Sequence, residues 1–198
     1  MTSADRREQL VTVARSCFAE HGFDGTSIEE IASRAEVSKP VVYEHFAGKE
    51  GLYAVVVDRE VHLLLSAIRG ALQTHGAGSR RLLELGALAM LDYIESQPEG
   101  FQILMRDTSS AGGGSFGSIL NDIIARVEGL LQPRFAAQQI SPKAALLYAQ
   151  ALTGLVALTA QWWLDHPDLS KAEVASHLVN LAWNGLHHLE LDFTVSPA

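Results

Sequence analysis

A chain of 198 residues, 47% of them hydrophobic, can bury a sizeable core without disulfides, and its single cysteine, Cys17, has no partner within the chain. A reducing cytoplasm is the expected setting, with Cys17 as a small buried hydrophobe. The formal charge of −8 excludes a nucleic-acid binder that works through a general positive field, since residues 1–50 alone hold six Lys/Arg against nine Asp/Glu. No basic-then-apolar leader opens the chain. The most apolar stretch, 146–164, is interrupted by Tyr148, Gln150, Thr153, Thr159 and Gln161 and reads as a buried helix rather than a membrane span.

Hydrophobic spacing is helical from end to end, with almost no period-two alternation, so the fold class is all-α with about nine helices. Leu10, Ala14, Cys17, Phe18 and His21 share one face of a first helix that ends at Gly22. Thr26 followed by Glu29 reads as a capping box opening a short second helix with Ile28, Ile31 and Ala32. Ser38 caps a third, whose first turn holds Pro40, where a missing amide proton costs little.

A long helix then runs from Gly48 to about His75, and HGAGS (75–79) breaks it. Helices follow over 80–96, from Gln97-Pro98 to Met105, and over 118–138, with Pro133 as a kink or early end. Between the last two lies the glycine-rich 109–118, either a lid or a plain connection. Ser141-Pro142 opens the penultimate helix, and Ser170 with Glu173 is a second capping box for the final one, which ends near His188. The expected domains are 1–48 and 49–198.

Two short helices, a turn of about three residues and a helix with polar tips form a helix-turn-helix pattern. Val42 and Phe46, four apart, face the core, while Lys39, Val41 and Tyr43 point elsewhere. The stretch TSIEEIASRAEVSKPVVYEHFAGKEGLY, Thr26 to Tyr53, resembles the DNA-binding region of TetR-family transcriptional regulators. Tyr43-x-His45-Phe46, followed by Lys49 opening a long helix, is its most specific part. Beyond Tyr53 only length and helical layout match.

The resemblance implies a set of DNA contacts that the chemistry of each residue supports. Thr26 and Ser27 present hydroxyls and amides to a phosphate, Tyr43 and His45 donate to backbone oxygens, and Lys49 sits at another amide-rich phosphate site. Ser38 caps the recognition helix, Lys39 reaches guanine O6 or N7, and Pro40 and Val41 meet thymine methyls. Many family members carry a hydroxyl where Val41 stands, and Glu36 occupies a turn position where glycine is common.

It also implies an effector-binding and dimerising body that receives a small molecule, a double-stranded operator that is nearly palindromic, and a repressor released by its effector. The last two helices are apolar enough to pair with a second copy as a four-helix bundle, through Leu152, Val156, Trp163, Leu178, Leu181, Ala182, Gly185 and Leu189. Pocket candidates are Leu65, Tyr93, Phe101, Leu104, Met105, Phe116, Leu120, Leu155, Thr159 and Trp162, any of which could equally be ordinary core. Arg106, with Asp107, could orient an effector or pair at a helix end. The apolar composition suggests a largely hydrophobic effector, aromatic or acyl.

No catalytic constellation is apparent: the chain has no GxSxG, no HExxH and no cysteine pair, and His187-His188 face different ways. Neither a metal nor a cofactor is expected, and no membrane partner. The alternative is a ligand- or protein-binding helical module whose DNA-binding half is vestigial.

Overall fold

The structure is a computed structural model that describes residues 2–106, 115–141, 143–166 and 168–187, the side chains of 115, 116 and 118 excepted. Among the described residues there are nine helices and no strand: α1 (Ser3–Gly25), α2 (Ile28–Arg34), α3 (Lys39–His45), α4 (Lys49–Leu72), α5 (Ser79–Ser96), α6 (Pro98–Arg106), α7 (Ser115–Ala137), α8 (Ala144–Asp165) and α9 (Lys171–His187). Helix α1 leaves regular geometry at Gly22 (φ 71°, ψ 179°) and runs on to Gly25. Pro133 neither ends α7 nor stops its last turn, which continues to Ala137.

The caps differ from expectation in three places. Ser27, not Thr26, is the N-cap of α2, its hydroxyl accepting from the Glu30 amide at 3.1 Å. Ser38 occupies the N-cap position of α3 but makes no side-chain capping bond. Helix α8 begins after Lys143, whose helical φ/ψ (−64°, −25°) and lack of a side-chain cap leave Ser141 to contribute only its carbonyl, to Ala144 N at 2.9 Å. The box at α9 forms as expected: Ser170 N donates to Glu173 Oε2 at 2.9 Å and Glu173 N to Ser170 Oγ at 3.3 Å.

Packing groups the described residues into two compact units, one from Met1–Leu64 with Ser96–Ser118, the other from Leu65–Glu95 with Ile119–Ala198. The first unit therefore takes in α6 and most of α4 besides the three short helices. Its core joins Leu10, Ala14, Cys17 and Phe18 of α1 to Ile28 and Ile31 of α2, Val42 and Phe46 of the recognition segment, Leu52 and Val56 of α4, and Ile103 of α6. Each such side chain contributes about 1.5–3 kcal/mol on burial. Phe18, Phe23 and Tyr53 add an aromatic cluster with ring centroids 4.9 to 6.3 Å apart.

Polar ties fix the same unit. Glu60 on α4 is 1% exposed, and its carboxylate accepts from Arg15 Nε at 2.8 Å. The other two nitrogens of Arg15 reach α6 and the residue before it, Glu99 at 3.0 Å and Gln97 at 2.7 Å. The turn between α2 and α3 is a Schellman motif: Val37 N donates to Ala32 O at 2.9 Å and Glu36 N to Ser33 O at 3.1 Å. Glu36 holds φ 55°, the left-handed geometry that glycine adopts at no steric cost.

In the second unit, Lys171 at the start of α9 bridges to Glu95 on α5 at 2.6 Å, and Arg69 meets Asp122 at 2.8 Å. Trp163 Nε1 donates to Leu169 O at 2.8 Å and closes the connection between α8 and α9. By length and composition α8 could cross a bilayer, yet only 28% of its apolar window is buried, so it is not the fully buried helix its composition suggests.

Two outcomes follow for stability. Replacing Glu36 by Gly relieves a left-handed penalty of about 1–2 kcal/mol and adds chain entropy worth about 0.5–1 kcal/mol to the unfolded state. The unfolding free energy from urea titration should rise by the difference, about 0.5–1 kcal/mol, and the midpoint should move to higher urea. Arg15→Ala strips a buried carboxylate of its cation and should lower stability by about 3 kcal/mol. Arg15→Lys should rescue it poorly, because one ammonium cannot span three acceptors on two elements.

Candidate DNA interface and effector cavity

The recognition helix α3 is held from beneath by Val42 and Phe46, which leaves its other faces open. Gly48 sits in the turn to α4 with φ 100°, and a Cβ there would stand 3.9 Å from the Tyr43 ring, so the turn needs glycine for its backbone. Tyr43 is 58% exposed, and Ser27, Ser38, Lys39 and Pro40 are exposed as well. Val41 and His45 are half-buried, the His45 ring lying 6.3 Å from that of Phe46.

Thr26 is not on this surface. It is 2% exposed, and its hydroxyl lies 2.7 Å from Gly22 O and 3.1 Å from Cys17 O, so it locks α1 to α2 instead of meeting a phosphate. Lys49 is half-buried; its ammonium donates to Phe23 O at 2.9 Å and stands 4.3 Å over the Phe23 ring. It has donors left for an outer partner, but it also braces α4 against α1.

Sequence reasoning missed Glu29. With the cap at Ser27, Glu29 moves off the capping role, and its carboxylate takes the Lys39 ammonium in an ion pair. That hydrogen bond holds the Glu29 carboxyl below the usual glutamate value. The lysine expected to read a base is thus engaged by an acid of its own chain. The same pattern recurs at Arg34, gripped by both oxygens of Glu20 at 2.8 Å.

Within the second unit lies a cavity of about 120 Å³. Its wall is built from Ile68 and Leu72 at the end of α4, Leu82, Leu83, Ala87 and Met90 of α5, Leu120, Ile123, Val127, Leu130 and Leu131 of α7, Leu152, Val156 and Ala157 of α8, and Trp183 and Leu186 of α9. Ser79, Thr153 and Arg134 are its polar members.

Of the expected pocket residues only Leu120 lines it. Phe101 and Leu104 are fully buried, and Met105 partly, in α6, which belongs to the first unit. Arg106 donates to Ala19 O at 2.7 Å, a tie between α6 and α1. Leu65 and Tyr93 are buried off the cavity wall, and the Phe116 side chain, Asp107 and most of 109–118 lie outside the described residues. Leu155, Thr159 and Trp162 instead line a surface hollow with Leu169, Val174, His177, Leu178 and Leu181.

The expected pairing stripe is also displaced. Leu152 and Val156 face the cavity, while Trp163, Leu178 and Ala182 are buried within the chain. Leu181 is 65% exposed and Gly185 exposed, and Leu189 falls outside the described residues. The large apolar side chains that do reach the surface of α8 are Leu146, Leu147, Leu158 and Trp162. Helix α8 is apolar around most of its circumference, so spacing could not say which stripe points in. Among the described residues no group of three or more His, Cys, Asp or Glu is arranged to hold a metal ion.

A helix-turn-helix followed by a longer helical region is the architecture of a DNA-binding transcriptional regulator. Residues 10–56 match the family described as bacterial regulatory proteins, tetR family, and residues 80–185 match the tetracyclin repressor-like C-terminal domain. The chain belongs to the TetR family of DNA-binding transcriptional regulators, which are regulators and not enzymes. It is 31% identical over 204 residues to the HTH-type transcriptional activator FasR of Mycolicibacterium smegmatis, a match covering 94% of this chain and 85% of FasR. The crystal structure of a TetR-like transcriptional regulator from Rhodococcus sp. RHA1 superposes with a TM-score of 0.80 at 26% identity, covering 96% of this chain and all of that one. The HTH-type transcriptional repressor AcnR of Corynebacterium diphtheriae is 35% identical over 48 residues, 24% of this chain and 25% of AcnR. The family thus contains activators and repressors, and its members bind DNA and typically form homodimers.

The Lys39–Glu29 pair yields a prediction. Glu29→Ala frees the lysine and removes a negative charge from the face expected to meet DNA. Affinity for DNA of any sequence should rise several-fold in fluorescence anisotropy, while the ratio of operator to non-operator affinity falls.

Proposed function

We propose that this chain is a dimeric, effector-responsive regulator that binds a near-palindromic operator from the cytoplasm. The observation that carries the reading is the ordered set on α2, α3 and the start of α4: exposed Ser27, Ser38, Lys39, Pro40 and Tyr43, with Val41, His45 and Lys49 half-buried beside them. Thr26 drops out of that set. Ser27 spends its acceptor on the Glu30 amide and keeps its proton for a phosphate. Lys39, once Glu29 is exchanged for a base, is the residue for direct readout.

Exposed Leu158 and Trp162 on α8 and Leu181 on α9 support pairing with a second copy. A dimer carries two recognition helices to half-sites about one DNA turn apart, which is why the operator should be nearly palindromic. The cavity supports a small, largely hydrophobic effector. One helix links the two activities along the chain: α4 begins at Lys49 and ends with Ile68 and Leu72 on the cavity wall. An effector that prefers one pose of α4 shifts the population of the DNA-competent state.

Repression relieved by effector is the first reading of the sign. The second, activation, is favoured by the relative that matches along 94% of this chain, which is an activator, whereas AcnR matches the head alone.

The test is a gel shift with DNA flanking the chain's own gene at two salt concentrations. Specific retardation should weaken steeply with salt. Lys39→Ala should cost about 1–3 kcal/mol at the operator and relax base preference, and Tyr43→Phe should weaken all sequences alike. A chain that retards no DNA yet binds small hydrophobic molecules would instead be a binding module with a vestigial head.

A further inference from the structure

The cavity wall is almost wholly hydrocarbon, yet two of its polar groups have bonding capacity left over. Thr153 on α8 is 7% exposed, and its hydroxyl has no hydrogen-bond partner among the described residues. A hydroxyl within a helix ordinarily bonds back to the carbonyl four residues earlier. Thr12 does so to Glu8 O at 3.0 Å and Ser176 to Ala172 O at 2.7 Å. Thr153 has the Ala149 carbonyl at the same offset and leaves it unused. Its hydroxyl is therefore committed neither to the helix nor to a neighbour, on the wall of an apolar cavity.

Arg134 on α7 is the second group. Its Nε donates to Ser79 Oγ at 2.6 Å and its Nη1 to the Leu130 carbonyl, but no carboxylate pairs with it among the described residues. A half-buried guanidinium at the edge of an apolar cavity, steadied by a serine that still has a proton to give, matches a carboxylate. The cavity, about 120 Å³, is of the order of an apolar cavity of about 150 Å³ that takes benzene. Its guest therefore has a compact ring or a short chain as its body.

We propose that the cavity receives an anionic amphiphile: a carboxylate held by Arg134 and Ser79, on an apolar body that carries an oxygen substituent bonded by the Thr153 hydroxyl. The proposal rests on reading this cavity as the effector site. A plain hydrocarbon would leave the Thr153 hydroxyl unbonded and press methylene groups against the Arg134 charge. Selectivity thus comes from two polar contacts in a site whose remaining wall tolerates many apolar shapes.

The experiment is calorimetric titration of the full chain, without DNA, with octanoate, octanol and hydroxyoctanoates substituted at successive carbons. Octanoate should bind about tenfold more tightly than octanol, and one hydroxy isomer about tenfold more tightly than octanoate. Thr153→Val should abolish the gain of that isomer, leave octanoate unchanged and raise the melting temperature of the ligand-free protein, since it deletes an unmade bond. Arg134→Gln should bring octanoate down to the octanol level.

Octanol binding as tightly as octanoate, or no isomer gaining over octanoate, overturns the proposal. So does a Thr153→Val protein that keeps the isomer preference. A chain that binds its operator and none of these acids overturns this inference alone. One that binds the acids and no operator overturns the regulator reading and leaves this one standing.

Discussion

The first unit depends on a carboxylate placed where water hardly reaches. Glu60 lies midway along α4, and taking its charge out of solvent costs several kcal/mol unless a cation and further donors meet it. Arg15 supplies the cation from α1 and turns its other nitrogens toward Glu99 and Gln97. Only a planar fork can serve three acceptors in three directions, so the position calls for arginine. The arrangement explains why α6, distant in sequence from the short helices, packs with them: Ile103 joins their core and Arg106 ties to Ala19. The buried charge thereby ties α1, α4 and α6 together beside the apolar core they share.

That grouping changes how the regulator can work. The short helices do not hang from the start of α4 alone; α1 is tied to α4 through Arg15 and Glu60, and to α6 through Glu99 and Arg106. Helix α4 belongs to both units, with Lys49 braced on Phe23 at one end and Ile68 and Leu72 on the cavity wall at the other. On the proposed reading, an effector would shift such a system only by its differential affinity for alternative poses of α4. The polar groups on the cavity wall matter for that reason. Hydrocarbon contacts adapt to either pose, whereas a hydrogen bond to Thr153 or Arg134 is lost over a fraction of an ångström.

The helix count, the helix-turn-helix and the strained turn at Glu36 were legible in the sequence because each is a local signal: spacing, breakers and a residue type at odds with its position. The capping register of α2 was not. Thr26 and Ser27 are both good caps, each with a glutamate three residues on. The choice is made by the Thr26 hydroxyl finding the carbonyls of Gly22 and Cys17, contacts set by the packing of α1. The cavity was illegible for a related reason. Phe101 and Leu104 are apolar at helical spacing, but nothing local says that α6 turns them into the first unit. Leu152 and Leu158 are equally apolar, and only the packed body separates the one that lines the cavity from the one left on the surface.

The acidic balance of the head, which first argued against DNA, acquires a physical meaning from the ion pairs. Lys39 is held by Glu29, Arg34 by Glu20 and Glu30, Arg59 by Glu8, and Lys49 leans on a carbonyl and a ring. On the proposed contacts, DNA binding by Lys39 would be an exchange of anions, a carboxylate given up for a base edge. The net electrostatic gain on an arbitrary duplex is small, because each contact begins by breaking one of similar kind. On the proposed contacts, only a site whose groove geometry satisfies the freed Lys39, the Tyr43 and Ser27 hydroxyls and the apolar Pro40 and Val41 together would return more than the exchange costs. An acidic head in which Lys39 and Arg34 are already paired thus favours discrimination over raw affinity.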